Sequence, residues 1–119
     1  MKRLLIGMGV GLLAMACGSV TTQSDTDSPI VFITSPKADS TVGGTVAFTA
    51  QALDGFGVDS VVFKVDGVVI GTDLSDPFSI QWNTRTAGNG AHALRAEAFD
   101  PSRNTGFASI TVTVDNTKN

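Results

Sequence analysis

Reactive side chains are scarce in this sequence. It holds one histidine, His92, and one cysteine, Cys17. An imidazole or thiolate metal centre needs several such ligands, and an activated nucleophile needs a base and an orienting partner. His92 opens an alternating stretch after Asn89-Gly90 and has no second histidine to work with, so a structural or surface role is expected of it. No nucleophile elbow, Walker loop or dinucleotide fingerprint accompanies the plentiful serines. The expectation is a chain with no catalytic residue, no cofactor and no metal. One cation reading stays open, because Asp54, Asp59, Asp100 and Asn104 fall in two connections between alternating stretches. Ca²⁺ takes six to eight oxygens, but Asp and Asn also start turns by bonding their own backbone. Aromatic rings are the remaining chemistry. Most of Phe32, Phe48, Phe56, Phe63, Phe78, Phe99, Phe107 and Trp82 fit inward strand positions, while Phe99 and Phe107 fall on the outward phase. Phe56, flanked by Gly55 and Gly57, is the candidate contact residue; its alternative is a ring folded back over the end of the domain.

Cys17 has a different context. Met1-Lys2-Arg3 is a short positive segment, and residues 4–16 are an uncharged apolar run, too short to cross a bilayer and of signal-peptide length. Leu13-Ala14-Met15-Ala16-Cys17 resembles a bacterial lipobox. That resemblance implies cleavage after Ala16 and acylation of the Cys17 thiol. Two or more acyl chains give stable membrane attachment at about 0.8 kcal/mol per buried methylene. The same resemblance, with Gly18 and Ser19 following and no aspartate there, implies the outer membrane of a Gram-negative host. Gly18 to Ser28 is polar and too poor in apolar residues to offset its ordering entropy, so it is expected to be a tether spanning roughly 15–20 Å.

The rest must supply the fold. Hydrophobic residues make up 42% of the chain and charged residues 16%, the balance of a folding chain and not a disordered one. Net charge is −3, and without Lys2 and Arg3 it is −5, which disfavours nucleic acid as a partner. With a single cysteine no intrachain disulfide can form. From Ile30 onward the hydrophobic period is two. Val46, Phe48, Ala50 and Ala52 share one face of a strand. Val61, Phe63 and Val65 alternate likewise, as do Phe78, Ile80 and Trp82, then Leu94, Ala96 and Ala98, then Ile110, Val112 and Val114. Asp66-Gly67 between two Val-rich runs is a two-residue hairpin signal. Gly43-Gly44, Asp76-Pro77, Gly88-Asn89-Gly90 and the Asp100–Asn104 segment punctuate the others. Seven short strands at this spacing predict an all-β, antiparallel sandwich over residues 29–115, with Trp82 the largest piece of its core and 116–119 a C-terminal tail.

Ile33-Thr34-Ser35-Pro36, Gly44-Thr45-Val46, the run from Val61 to Asp73, and Pro77 to Thr84 together resemble bacterial immunoglobulin-like modules of surface proteins and extracellular glycosidases. So do the Asn89–Ala96 and Asp100–Asn104 segments. The resemblance implies an immunoglobulin-like β-sandwich that is a spacer, adhesive or accessory domain without catalytic residues. Two functions are expected from it. One is a non-enzymatic cell-envelope lipoprotein acting in adhesion, envelope structure or protein interaction. The other is a carbohydrate-binding accessory module partnering a separately encoded extracellular enzyme. The partners implied are the membrane, through the lipid anchor, and a protein or glycan ligand.

Overall fold

The computed structural model describes residues 27–117. The leader, Cys17 and most of the tether lie outside the described residues. Eight strands follow in order: β1 (Ile30–Ser35), β2 (Thr41–Val42), β3 (Thr45–Leu53), β4 (Ser60–Val65), β5 (Val68–Asp73), β6 (Phe78–Asn83), β7 (Gly90–Phe99) and β8 (Thr105–Val114), with one 3-10 turn at Thr84–Thr86. They form a three-stranded sheet, β1-β3-β6, and a five-stranded sheet, β2-β8-β7-β4-β5. This is the immunoglobulin-like sandwich expected. The additional strand is β2, a two-residue piece that pairs in parallel with β8. It carries no periodicity of its own and exists because the chain, on leaving β1, crosses to the edge of the other sheet.

Alternation places the core between the sheets. Phe48, Ala50, Phe78 and Trp82 of the small sheet face Val61, Phe63, Leu94, Ala96, Val112 and Val114 of the large one, all buried. Phe48 and Phe63 meet edge to face with ring centroids 4.7 Å apart, the geometry that suits two ring quadrupoles. Fully burying each such ring contributes about 1.5–3 kcal/mol.

The Asp66-Gly67 turn joins β4 to β5 with both residues at positive φ, 52° and 83°. That matches the right-handed twist of the flanking strands. Gly106 is fixed by a different constraint: a Cβ there would lie 1.9 Å from the carbonyl oxygen of Pro29, so the start of β1 can cross β8 only over a glycine. Pro29 therefore enters at the pole that also carries the β3–β4 and β7–β8 connections. Val114, paired with Gly90, lies at the opposite pole. There Asn116 takes a hydrogen bond from the Gly44 amide and donates to the Asn89 and Thr84 side chains.

Candidate functional site

The pole of the β3–β4 and β7–β8 connections brings these acidic residues near one another, since the Asp59 amide bonds the carbonyl of Phe99 at 2.7 Å. It does not gather them into a cation site. Asp100 is buried and accepts from both the amide and the side-chain nitrogen of Asn104. Asp54 accepts the amide of Phe56 at 2.8 Å through Oδ1. Its Oδ2 is enclosed without a hydrogen-bond partner beside a shallow hollow that Asp76 also lines. Two carboxylates fall short of the oxygens Ca²⁺ takes. Among the described residues no three His, Cys, Asp or Glu side chains converge as a metal would require. These aspartates organise their own loops. Phe56 stands 58% exposed on that pole.

His92 is pinned at the other pole. Its Nδ1 lies 2.5 Å from Oδ2 of Asp66, and its Nε2 is 2.9 Å from the carbonyl oxygen of Gly88. Both neighbours are acceptors, so the geometry favours a ring that donates from both nitrogens. The Asp66 hydrogen bond accordingly raises the His92 pKa above its ordinary value. The His92 bond, aided by the amide of Ala93, lowers that of Asp66. The pair fastens the β4–β5 turn to the start of β7. Residues 66 and 92 are far apart in sequence, and only the folded register brings them together.

The outer face of the five-stranded sheet is charged and internally paired. Lys64 and Arg95 sit directly opposite each other on β4 and β7, and Glu97 bonds both, at 3.1 Å to Lys64 and 2.6 Å to Arg95. Burial opposes ionisation of Glu97, but the two cations together outweigh it and lower its pKa. The Arg95 guanidinium also lies 3.6 Å from the ring centroid of Phe107. Phe107 is exposed and Phe99 half-buried, both on the outward phase expected of them.

The outer face of the three-stranded sheet is different in kind. Outward positions are Ile30, Phe32 and Thr34 on β1, then Thr45, Ala47, Thr49, Gln51 and Leu53 on β3, then Ser79, Gln81 and Asn83 on β6. None is charged. Ile30 pairs with Leu53, and Phe32 with Gln51. Ile30, Phe32 and Leu53 are each at least half exposed. Phe32 corrects the expectation that the ring turns inward. Ile30-Val31-Phe32-Ile33 is apolar at every position and shows no phase; the register against β3 turns Val31 and Ile33 toward the core and leaves Phe32 outside. Thr49 and Ser79 are joined across the face by their hydroxyls at 2.9 Å. Sequence reasoning missed this face, although its signal was present: every outward residue of two recognised strands is a hydroxyl, an amide or an apolar group.

Residues 29–96 match the family described as Bacterial Ig domain. The fibronectin(III)-like modules of Clostridium thermocellum CbhA are 30% identical, with a TM-score of 0.64 over 72% of this chain and 97% of that one. The endo-β-1,4-mannanase from Thermotoga petrophila contains the same fold at 14% identity, with a TM-score of 0.63 over 92% of this chain and 32% of that one. No curated protein matches the sequence.

Proposed function

The chain belongs to the bacterial Ig domain family, and on that premise we propose that it is a non-catalytic accessory module that holds carbohydrate for a separately encoded extracellular enzyme. One observation carries this reading. The buried polar groups, Thr84 and Asp100, are spent on the fold, whereas large apolar side chains stand outside on the β1–β3 surface. Thr84 donates to the carbonyl of Gly44 at 2.7 Å and accepts from Asn116; Asp100 serves its own loop. Polar groups locked into structure do no chemistry, while uncovered rings and aliphatics are contact groups. The likeness to the CbhA modules supports an accessory role, and Phe56 remains a separate contact candidate on the pole of the β3–β4 connection.

The proposal includes export and a lipid anchor at Cys17, supported by the sequence of residues 1–17. Mass spectrometry of the native N-terminus tests that part: an acylated Cys17 is expected, and a free thiol would remove the anchor. The carbohydrate part is tested by co-sedimentation of the purified protein with insoluble plant polysaccharides. Retention in the pellet is expected; a protein left wholly in the supernatant overturns it.

A second reading, protein interaction at the envelope, is favoured by the open side of the sandwich between edge strands β5 and β6. Val65, Val68, Ile70, Trp82 and Ala87 line a groove there of about 380 Å³, and an edge strand can accept a partner strand. Crosslinking in intact cells that traps a protein through Val68 would favour it.

A further inference from the structure

We propose that the outer face of the three-stranded sheet is the carbohydrate-binding surface, and that its ligand is a neutral polysaccharide chain lying along β3. The inference rests on the accessory-module reading and goes further in naming the face and the ligand charge.

Four properties of the face converge on that ligand. First, it carries no charge, in a chain whose net charge is −3. An anionic polymer would find no cation among these outward positions, Arg85 standing beyond them at the Gly44 end of β3, and the acidic remainder of the surface would repel it. Second, Gln51 and Gln81 are exposed on it, with the Thr49–Ser79 hydroxyl pair between their rows. Amides and hydroxyls both donate and accept, so they can match a ligand dense in hydroxyls whichever way each hydroxyl points. Third, Phe32 with Ile30 and Leu53 forms an apolar end to the strip. A pyranose ring has one C–H-rich face, which packs on such a surface while its hydroxyls reach the neighbouring amides.

Size supplies the fourth property. Three strands about 4.8 Å apart and nine residues of β3 at about 3.4 Å each make a strip of roughly 14 Å by 30 Å, or about 400 Å². A standard protein interface needs about 800 Å² per partner, so a second copy or another globular protein is underserved. A narrow, extended polymer fits, with room for several sugars in file. Binding there displaces water from neutral polar groups only, which costs far less than stripping it from ions.

The test is electrophoresis of the purified protein through native gels containing soluble galactomannan or hydroxyethylcellulose, which are neutral, or polygalacturonate, which is anionic. Retardation is expected in a neutral gel and not in polygalacturonate. Phe32→Ala and Gln51→Ala are each expected to weaken it by about tenfold, the scale of one significant contact residue, while Phe107→Ala on the opposite face leaves it unchanged. Circular dichroism of each variant confirms the fold. Retardation that survives Phe32→Ala and Gln51→Ala but is lost with Phe107→Ala or Phe56→Ala overturns the face and leaves the accessory reading standing. Retardation by polygalacturonate alone overturns the neutral ligand. Passage through all three gels without delay overturns this inference, and with it the accessory reading if co-sedimentation also fails.

Discussion

The two outer faces of this sandwich cover one core and are dressed in opposite ways. On the five-stranded sheet, Glu97 bonds both Lys64 and Arg95, and Arg95 caps Phe107. On the three-stranded sheet no outward residue is charged, and Ile30, Phe32 and Leu53 are uncovered. A bonded charge ladder helps fix which strand residues stand opposite each other, because a shifted β4–β7 register would take Lys64 away from Glu97. It also makes that face expensive to cover, since a ligand would have to strip water from ions. The uncharged face has neither property. Its register is held from beneath, by the packing of Phe48 and Trp82, which frees its surface for contact.

The contrast can be broken at several depths. Beneath both faces, Phe48→Ala and Phe63→Ala should each cost about 3–5 kcal/mol, measured by urea denaturation. The two should be similar, because the rings contact each other across one shared core; a clear inequality would show that one side of that core relaxes around its cavity more than the other. On the charged face, Glu97→Ala leaves Lys64 and Arg95 as facing like charges and should cost about 1–2 kcal/mol.

The third test uses pH. The folded pKa of His92 is raised by Asp66, so the stability it contributes is fully present below the unfolded value of about 6.5 and is lost as pH rises through the folded value. The folded pKa of Asp66 is lowered, so its contribution is present above the ordinary carboxylate range and is lost as pH falls through the depressed value. The pair therefore supports the sandwich best between those ranges. The melting temperature should fall between pH 6 and pH 8.5 by more in the parent than in His92→Asn. Equal slopes would show that the pair does not couple to folding. Smallest of all, Phe32→Ala and Gln81→Lys on the uncharged face should alter stability by no more than about 0.5 kcal/mol. A larger loss in chemical denaturation would mean that this face is built for the fold and not for contact.

Legibility in the sequence followed the same division. Where polar and apolar residues alternate, as in β3, β6 and β7, phase and core were readable, and Asp66-Gly67 announced its hairpin. Val61-Val62 in β4 was resolved by Lys64. The apolar run Ile30–Ile33 has no such marker, so only its register against β3 decides that Phe32 faces outward. β2 was invisible because two residues hold no period and are ordered only by β8. The site was less legible than the fold. Its residues are neutral and common, and their meaning lies in an adjacency across strands that one-dimensional spacing does not encode. Phe56 drew attention because glycines flank it, whereas Phe32 lay hidden in a strand.

The parallel pairing of β2 with β8 has a mechanical consequence. The described chain enters at the pole of Pro29 and leaves at the far pole beyond Val114, so tension between its ends slides β2 and β8 past one another lengthwise. Hydrogen bonds from Asp39 to Thr111, from Thr113 to Ser40 and from Asp115 to Val42 span that seam. Under such a load they bear strain together and must rupture together, where a hairpin pulled from its open end would lose them one by one. Pulled by its two ends, the sandwich thus resists most along the strand direction, because that is the direction in which this seam is loaded in shear.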